Sequence, residues 1–304
     1  MLASPSAADP SPPPSLVERL RHLALDIKLS HSIFALPWAI LATFLAAGGY
    51  PRIGQVVLIV LCMVSARTVA MSANRVLDAS IDARNPRPAR RAIPAGRLSR
   101  GFVSFVAILC ALVFIATTSL FGVLYDNWLP LICSVPVLLF ISAYPLLKRS
   151  TRLVHYYLGA ALGIAPICAW IAIAGTVGWP AVVMGAAVLL WTAGFDILYA
   201  CQDYEIDVRD GLYSVPAKLG IAGALRVARL THGVCIVLLI VLAGIVEPFG
   251  MIFGTAVGIA GTLLAVEHWL ARPNDLSKIT LAFFTLNGII ALVIGGLGMI
   301  DLYV

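Results

Sequence analysis

Charged residues are scarce in this sequence. Only 12% of its 304 residues are Asp, Glu, Lys or Arg, whereas 61% are hydrophobic, and the mean hydropathy is +0.96. A soluble domain of this length needs a far more polar surface, so the composition excludes an ordinary soluble globular protein. The six cysteines show no paired metal-binding spacing, and we interpret them as apolar packing residues. The early segment lacks a basic region followed by an apolar core, so we expect no cleavable signal peptide.

Apolar segments of about 20 residues, long enough to cross a bilayer as helices, recur along the whole chain. We therefore predict an all-α integral membrane domain over residues 16–304. The Pro-rich residues 1–15 read as a disordered tail, and residues 16–28 can form an amphipathic helix on the membrane surface. Nine transmembrane helices are predicted, near residues 29–48, 53–77, 101–122, 126–147, 153–176, 179–201, 221–244, 249–271 and 277–300.

The basic residues are concentrated in alternate connections between these predicted helices. Examples are the segments 19–28, 84–100, 148–152 and 209–218. This is the positive-inside pattern, so the net charge of +6 indicates membrane orientation rather than nucleic-acid binding. It predicts a cytoplasmic N-terminus and an outside C-terminus. We expect a bacterial inner (plasma) membrane protein whose active site lies at the cytoplasmic face.

Seven of the fifteen acids fall in two short stretches of the chain. The first stretch, NRVLDASIDARNPRPARRAIPAG, spans residues 74–96 and contains Asn74, Asp78 and Asp82 at steps of four. Steps of four and seven stay on one face of a helix. These three side chains should therefore form one row at the cytoplasmic end of the second predicted helix.

The second stretch, FDILYACQDYEIDVRDGLYSVPAKLG, spans residues 195–220. It contains Asp196, Asp203 and Asp207 at steps of seven and four, which predicts a second row at the end of the sixth helix. Clustered carboxylates repel each other unless a cation lies between them. A single such cluster would be read as a solvated face with salt bridges. Two matched rows favour a site for Mg²⁺, which is usually held by a few carboxylates and by substrate phosphates.

The spacings Asn74-x3-Asp78-x3-Asp82 and Asp203-x3-Asp207 resemble the two aspartate motifs of the UbiA superfamily of intramembrane prenyltransferases. The segment YPLLK, with Tyr144 and Lys148, resembles the Tyr-x3-Lys element of that family. The likeness covers nearly the whole chain. It is closest to the 4-hydroxybenzoate polyprenyltransferase branch and its relatives in menaquinone synthesis.

This resemblance implies a nine-helix bundle around a central cavity and a Mg²⁺-dependent enzyme. Its substrates would be a polyprenyl diphosphate from the lipid bilayer and a small aromatic acid such as 4-hydroxybenzoate, for quinone (ubiquinone-type) biosynthesis. A dihydroxynaphthoate acceptor, for menaquinone, remains an alternative. The implied catalytic acids are Asp78, Asp82, Asp196, Asp203 and Asp207. The implied metal ligands are Asn74, Asp78, Asp82, Asp203 and Asp207. The implied substrate-binding residues are Asn74, Arg67, Arg84, Arg87, Arg90, Arg91, Tyr144 and Lys148.

Two of these residues have competing interpretations. Arg67 lies inside the second predicted helix, where a charge is costly and usually functional. It can bind the carboxylate of the acceptor or the diphosphate, or it can form an ion pair with Asp196 that only orients the site. Asp196 is a candidate for orienting the acceptor or for accepting a proton. Outside this set, His31 can face the cavity and contact the acceptor, but a hydrogen-bonded interfacial histidine is the favoured interpretation.

Two other classes of membrane protein fit the sequence less well. A CDP-alcohol phosphotransferase also uses membrane aspartates, but the Asp-Gly spacings of that family are missing here. A membrane cation transporter would be expected to place its acids near the membrane midplane, often at broken helices. Here the acids lie at one predicted face beside basic connections, which favours the enzyme.

Overall fold

The computed structural model describes residues 15–28, 32, 34–85, 88–147 and 150–304. These residues form α-helices joined by short connections and contain no β-strand, so the predicted all-α class is confirmed. The helices are α1 (Leu16–Asp26), α2 (Leu36–Ala47), α3 (Ile53–Asp82), α4 (Arg100–Tyr125), α5 (Leu129–Ser142), α6 (Tyr144–Leu147), α7 (Val154–Ala174), α8 (Trp179–Ala200), α9 (Tyr204–Arg209), α10 (Val215–Ile245), α11 (Met251–Leu270) and α12 (Ile279–Asp301).

Eight segments within the described ranges are long and apolar enough to cross a membrane. They correspond to eight of the nine predicted spans, and the protein is an integral membrane protein. The remaining predicted span, 29–48, contains α2, which has 12 residues. A helix of that length is about 18 Å long, which is short of the roughly 30 Å hydrocarbon core. Residues 29–31 and 33, where this span was predicted to begin, lie outside the described residues, so the count of nine stays a prediction.

The helix α8 is the most buried of these candidate spans and lies at the centre of the bundle. Its Trp191 is 1% exposed and packs against the fully buried Trp38 of α2, with ring centroids 5.6 Å apart. Phe34 and Phe195 surround the same indole ring. Burial of such large rings dominates the packing energy of a core, so this cluster joins α2 to α8.

Glycines on facing sides of α7 and α8 allow the two backbones to touch. A Cβ atom added to Gly159 would overlap the carbonyl oxygen of Leu189, and one added to Gly163 would overlap that of Gly185. Small residues at such positions are the usual means of close helix packing in membranes. We call this contact between α7 and α8 the glycine seam.

The amphipathic helix predicted within residues 16–28 is present as α1. Its N-terminus carries a capping box between Ser15 and Glu18. On one side, Leu23 packs with residues of the connection that follows α3. Several other large apolar side chains of the helix are exposed, among them Leu16 and Val17. This pattern is typical of a helix lying in a membrane interface.

Candidate active site

A cavity of about 600 Å³ opens between α1, α3, α7, α8 and α12. This volume is in the range of ligand-binding pockets. The connection between α3 and α4 (residues 83–99), which we call the capping loop, borders the cavity. The charged and polar residues that line it are Asp26, Lys28, Ser32, Arg67, Asn74, Arg75, Arg90, Arg91, Tyr144, His155, Asp196, Tyr199, Asp203, Asp207 and Ser214.

The first predicted row of polar residues lies on α3 as expected. This helix runs unbroken to Asp82, five residues beyond the predicted end at residue 77. Asn74 lines the cavity, whereas Asp78 and Asp82 are only 1% and 2% exposed. Asp82 forms an ion pair with Arg91 of the capping loop, with Oδ2 2.6 Å from Nη1. The arginine therefore compensates the negative charge of this buried acid.

The second predicted row is not one continuous helix. The helix α8 ends at Ala200, residues Cys201–Asp203 form a 3₁₀ turn, and α9 begins at Tyr204. The expectation that Asp196, Asp203 and Asp207 share one helical face is therefore wrong in detail. All three nevertheless line the cavity.

Tyr144 of α6 lies where the two rows meet. Its phenol lines the cavity and lies within electrostatic range of Asp78 from the first row and of Asp196 and Asp207 from the second. The charge of Arg91 also acts on it. Acids that are more than a hundred residues apart in the sequence are thus brought to one cavity.

The donor set fits a divalent cation that is shared with a substrate. Among the described residues, no three metal-ligating side chains form a compact cluster of their own. Mg²⁺ usually keeps several non-protein oxygen ligands and is bound by one or two carboxylates together with substrate phosphates. Asp203 and Asp207, which face the cavity, suit that mode of binding, and Asp78 lies nearby.

Asn74 is less available as a metal ligand than its position suggests. Its side-chain oxygen Oδ1 accepts a hydrogen bond of 3.0 Å from Nη1 of Arg75. A carbonyl oxygen has two lone pairs, so one remains for a second partner. The structure thus keeps Asn74 in the site and adds Arg75 as its neighbour, a residue that the sequence reasoning did not select.

The predicted phosphate-binding bases have different positions. Arg90 and Arg91 line the cavity. Arg84 is exposed and acts electrostatically on Asp210. The Arg209 guanidinium, which donates to Asp210 at 2.9 Å, holds the pKa of that carboxyl below its usual value. The predicted site residues Arg87 and Lys148, and also His31, lie outside the described residues.

Arg67 lines the deeper part of the cavity on α3. Its Nη2 donates to the backbone oxygen of Lys28 at 3.2 Å. Its Nε is buried and has no hydrogen-bond partner among the described residues. The alternative interpretation of Arg67 was an ion pair with Asp196, but among the described residues the ion pair of Asp196 is with His155 and none joins it to Arg67.

Asp26, at the end of α1, is an acid of this site that the sequence analysis missed. Its Oδ2 accepts from Nε of Arg75 at 2.9 Å, and its Oδ1 accepts from the backbone N–H of Ala92 at 2.8 Å. It therefore ties α1 to both α3 and the capping loop. The only signal in the sequence was its unfavourable position, because the C-terminal end of a helix disfavours a negative charge.

Apolar and aromatic side chains complete the wall of the cavity. Tyr199 of α8 and Phe283 of α12 have ring centroids 4.5 Å apart, and both line the cavity. Phe284 lies beneath Lys28, whose Nζ is 4.4 Å from the ring centroid. The cavity thus combines an aromatic wall with charged groups of both signs.

A helical membrane bundle that encloses acids, arginines and aromatic rings in one cavity is the architecture expected of an intramembrane enzyme with a charged substrate. The chain belongs to the UbiA prenyltransferase family, whose sequence profile matches residues 35–289. The family predicted from the aspartate motifs is therefore confirmed, and with it the prediction of a prenyltransferase.

Individual relatives support this assignment. The chain is 32% identical to a 4-hydroxybenzoate octaprenyltransferase of Pseudomonas fluorescens, with 83% of each chain covered. A solved structure of a UbiA homologue from Aeropyrum pernix K1 has 28% identity and a TM-score of 0.80, covering 90% of this chain and 98% of that one. A homologue from Archaeoglobus fulgidus, solved bound to DMAPP and Mg²⁺, shares the fold at 16% identity, with a TM-score of 0.68 and 93% and 99% coverage.

Proposed function

We propose that this protein transfers a polyprenyl group from polyprenyl diphosphate to 4-hydroxybenzoate in ubiquinone-type quinone biosynthesis. The observation that carries the proposal is the single cavity in which two acidic segments, basic side chains and an aromatic wall meet inside an apolar bundle. The curated relative at 32% identity is named for transfer to the same acceptor. We further propose that the enzyme lies in a bacterial inner membrane with this cavity open to the cytoplasm.

The acidic and basic residues near the capping loop would bind the diphosphate end of the lipid substrate. We assign Asp78, Asp82, Asp203 and Asp207, with Asn74 as a neutral oxygen ligand, to the binding of Mg²⁺. When bound, Mg²⁺ would stabilise the negative charge that develops on the leaving diphosphate.

The basic residues would act on the same leaving group. Arg90 and Arg91 face the cavity and can donate charge-assisted hydrogen bonds to phosphate oxygens. Arg84, Arg87 and Lys148 are assigned the same role on the strength of the sequence. Tyr144, which lies among the acids, can donate to a phosphate oxygen or to the acceptor.

The deeper part of the cavity would bind the aromatic acceptor. Arg67 offers a buried Nε–H that has no partner among the described residues, and a carboxylate is the group that best satisfies it. The aromatic wall formed by Tyr199 and Phe283 would pack against the ring of the acceptor and the first part of the prenyl chain. Asp196 would accept a hydrogen bond from the acceptor.

The capping loop would exclude water from the reacting groups. Ala92 and Leu98 of this loop are buried against α1, and Asp26 holds the backbone of Ala92 in place. An allylic cation reacts readily with water, so a loop that covers the cavity would protect the cation from hydrolysis.

A transfer assay with the purified, detergent-solubilised protein tests this proposal. Labelled polyprenyl diphosphate is supplied with a panel that includes 4-hydroxybenzoate and dihydroxynaphthoate, with and without Mg²⁺. We expect a prenylated 4-hydroxybenzoate that requires Mg²⁺. A product formed only from dihydroxynaphthoate would overturn the assigned acceptor, and no product from any aromatic acid would overturn the enzyme assignment.

A further inference from the structure

His155 joins two elements that border the acceptor end of the cavity. On one side its Nδ1 lies 2.7 Å from Oδ2 of Asp196 on α8. On the other side its Nε2 accepts a hydrogen bond of 3.2 Å from the backbone N–H of Val215, the first residue of α10. The side chain is 3% exposed. The first N–H groups of a helix have no partner within the helix. The ring of His155 therefore accepts a hydrogen bond from a backbone N–H group that would otherwise be buried and unpaired.

These two contacts define which ring nitrogen carries the proton. A backbone amide can only donate, so Nε2 must supply its lone pair to Val215. The proton of the neutral ring is therefore on Nδ1, and it is directed at Asp196. His155 thus acts as a donor to a carboxylate, with its orientation fixed at both ends of the ring.

One oxygen of Asp196 remains available after this contact. Oδ2 is held by His155, whereas Oδ1 takes part in none of the hydrogen bonds between described residues. The side chain is 16% exposed and lines the cavity. A carboxylate fixed through one oxygen presents the other in a defined direction, which is a common way to orient a substrate.

The glycine seam explains why His155 and Asp196 lie opposite each other. Along α7, His155 precedes Gly159 and Gly163 at steps of four, so all three lie on the face that contacts α8. Gly185, Leu189 and Asp196 follow one face of α8 in the opposite direction. Because the backbones touch at the glycines, the register between the two helices is fixed, and the seam continues into the pair formed by His155 and Asp196.

We propose that His155 is a positioning residue, which holds Asp196 so that its second oxygen accepts a hydrogen bond from the hydroxyl group of the aromatic acceptor. This inference rests on the proposed function. It assigns the two ends of the acceptor to opposite charges in one cavity, with the carboxylate at Arg67 and the hydroxyl at Asp196. A hydroxyl group that donates to a carboxylate makes its ring more electron-rich, which favours attack by the ring on an allylic cation. The preferred substrate class is therefore a hydroxyaryl acid.

Two substitutions of His155 separate this role from a purely structural one. His155→Asn places an amide N–H close to the position of Nδ1, so the donor to Asp196 is retained. His155→Leu removes both hydrogen bonds. We expect His155→Leu to raise the KM for 4-hydroxybenzoate by roughly ten- to a hundredfold, the effect of losing a hydrogen bond to a charged group. The KM for the diphosphate should stay unchanged, and His155→Asn should restore most of the acceptor affinity.

Benzoate, which lacks the hydroxyl group, supplies the second readout as a competitive inhibitor. Its inhibition constant should be the same in the wild type and in His155→Leu, because it makes no contact with Asp196. If both benzoate and 4-hydroxybenzoate bind more weakly, or if neither is affected, the inference is overturned. Failure of the proposed function is a separate result, since the wild type would then prenylate no hydroxyaryl acid.

A double-mutant cycle tests whether His155 acts through Asp196. In an Asp196→Asn background, His155→Leu should cause little further loss of acceptor affinity, because the group that it orients has already been changed. Additive losses would show that His155 acts independently and would contradict the proposal. Thermal unfolding of each variant in detergent identifies those that fail to fold. If His155→Leu does not fold, the KM of His155→Asn for 4-hydroxybenzoate is the test, and a large increase in it would contradict the proposal.

Discussion

Replacement of Arg67 by alanine is the most direct test of the acceptor end of the cavity. The guanidinium keeps one hydrogen bond of 3.2 Å to the backbone oxygen of Lys28, and its Nε has no partner among the described residues. An aromatic carboxylate would therefore gain a charge-assisted hydrogen bond at a group that is already desolvated. Loss of one such bond costs about 1.5–3 kcal/mol, which corresponds to roughly ten- to over a hundredfold in affinity.

We expect this loss to appear in the KM for 4-hydroxybenzoate and to be small in the KM for polyprenyl diphosphate. Arg67 lies eleven residues before Asp78 on the regular helix α3, or about 16 Å along its axis. This distance is too long for Arg67 to contact a diphosphate that is held by a cation at Asp78. Arg90→Ala is the matched comparison, because Arg90 belongs to the capping loop and should show the opposite preference. Steady-state kinetics with each substrate varied in turn measure both effects.

The result for Arg67→Lys adds geometric detail. A lysine keeps the charge but lacks the planar donor fork of the guanidinium, so it should restore the affinity only in part. An Arg67→Ala enzyme that is impaired only toward the diphosphate would remove Arg67 from the acceptor pocket. In that case the assignment of the carboxylate to this end of the cavity would have to be abandoned.

Three further substitutions or labels test other parts of the structure. Asp203→Ala should abolish most transfer while the protein stays folded. Asp126 is an exposed acid outside both rows, so Asp126→Asn should leave the transfer rate unchanged. Near-normal turnover of Asp203→Ala at saturating Mg²⁺ would contradict the assigned cation site. Gly163→Leu should lower the unfolding temperature, because the leucine side chain would overlap the backbone of α8. Gly254 has open space around it, so Gly254→Leu should be tolerated. Equal unfolding temperatures of the two variants would argue against the glycine seam. A cysteine introduced in residues 84–100 should react with impermeant labels only from the cytoplasmic side of the membrane, and labelling from outside in intact cells would reverse the predicted orientation.

The sequence predicted those parts of the site that depend on local periodicity. Asn74, Asp78 and Asp82 share one face because α3 is a regular helix through all three positions. The predicted end of this helix at residue 77 was too early. A run of apolar residues predicts only the part of a helix that is buried in lipid, and α3 continues into a polar segment beyond it. The predicted start of the seventh transmembrane span at residue 221 agrees with a break in α10 at Gly220, where φ is +69°.

Contacts between distant segments could not be predicted in this way. His155 and Asp196 are 41 residues apart, and Asp26 is 66 residues from Ala92. Each pair meets only because of the register between packed elements, which hydrophobic periodicity does not specify. The 3₁₀ turn at Cys201–Asp203 was missed for a related reason, since the spacing of seven residues between Asp196 and Asp203 fits a continuous helix and also fits a helix broken by a single turn.

Direct backbone contact along α7 and α8 also limits how the enzyme can move. Side chains that interdigitate can change rotamer and slide, but two backbones in contact at Gly159 and Gly163 have no such freedom. The two helices should therefore move as one rigid body that carries His155 and Asp196 with it. We expect entry of a long lipid substrate to depend on movement of the other elements around the cavity, among them α1, α12 and the capping loop. Slow steps in turnover should accordingly follow the mobility of those elements, and the α7–α8 pair should serve as the fixed frame against which they open and close.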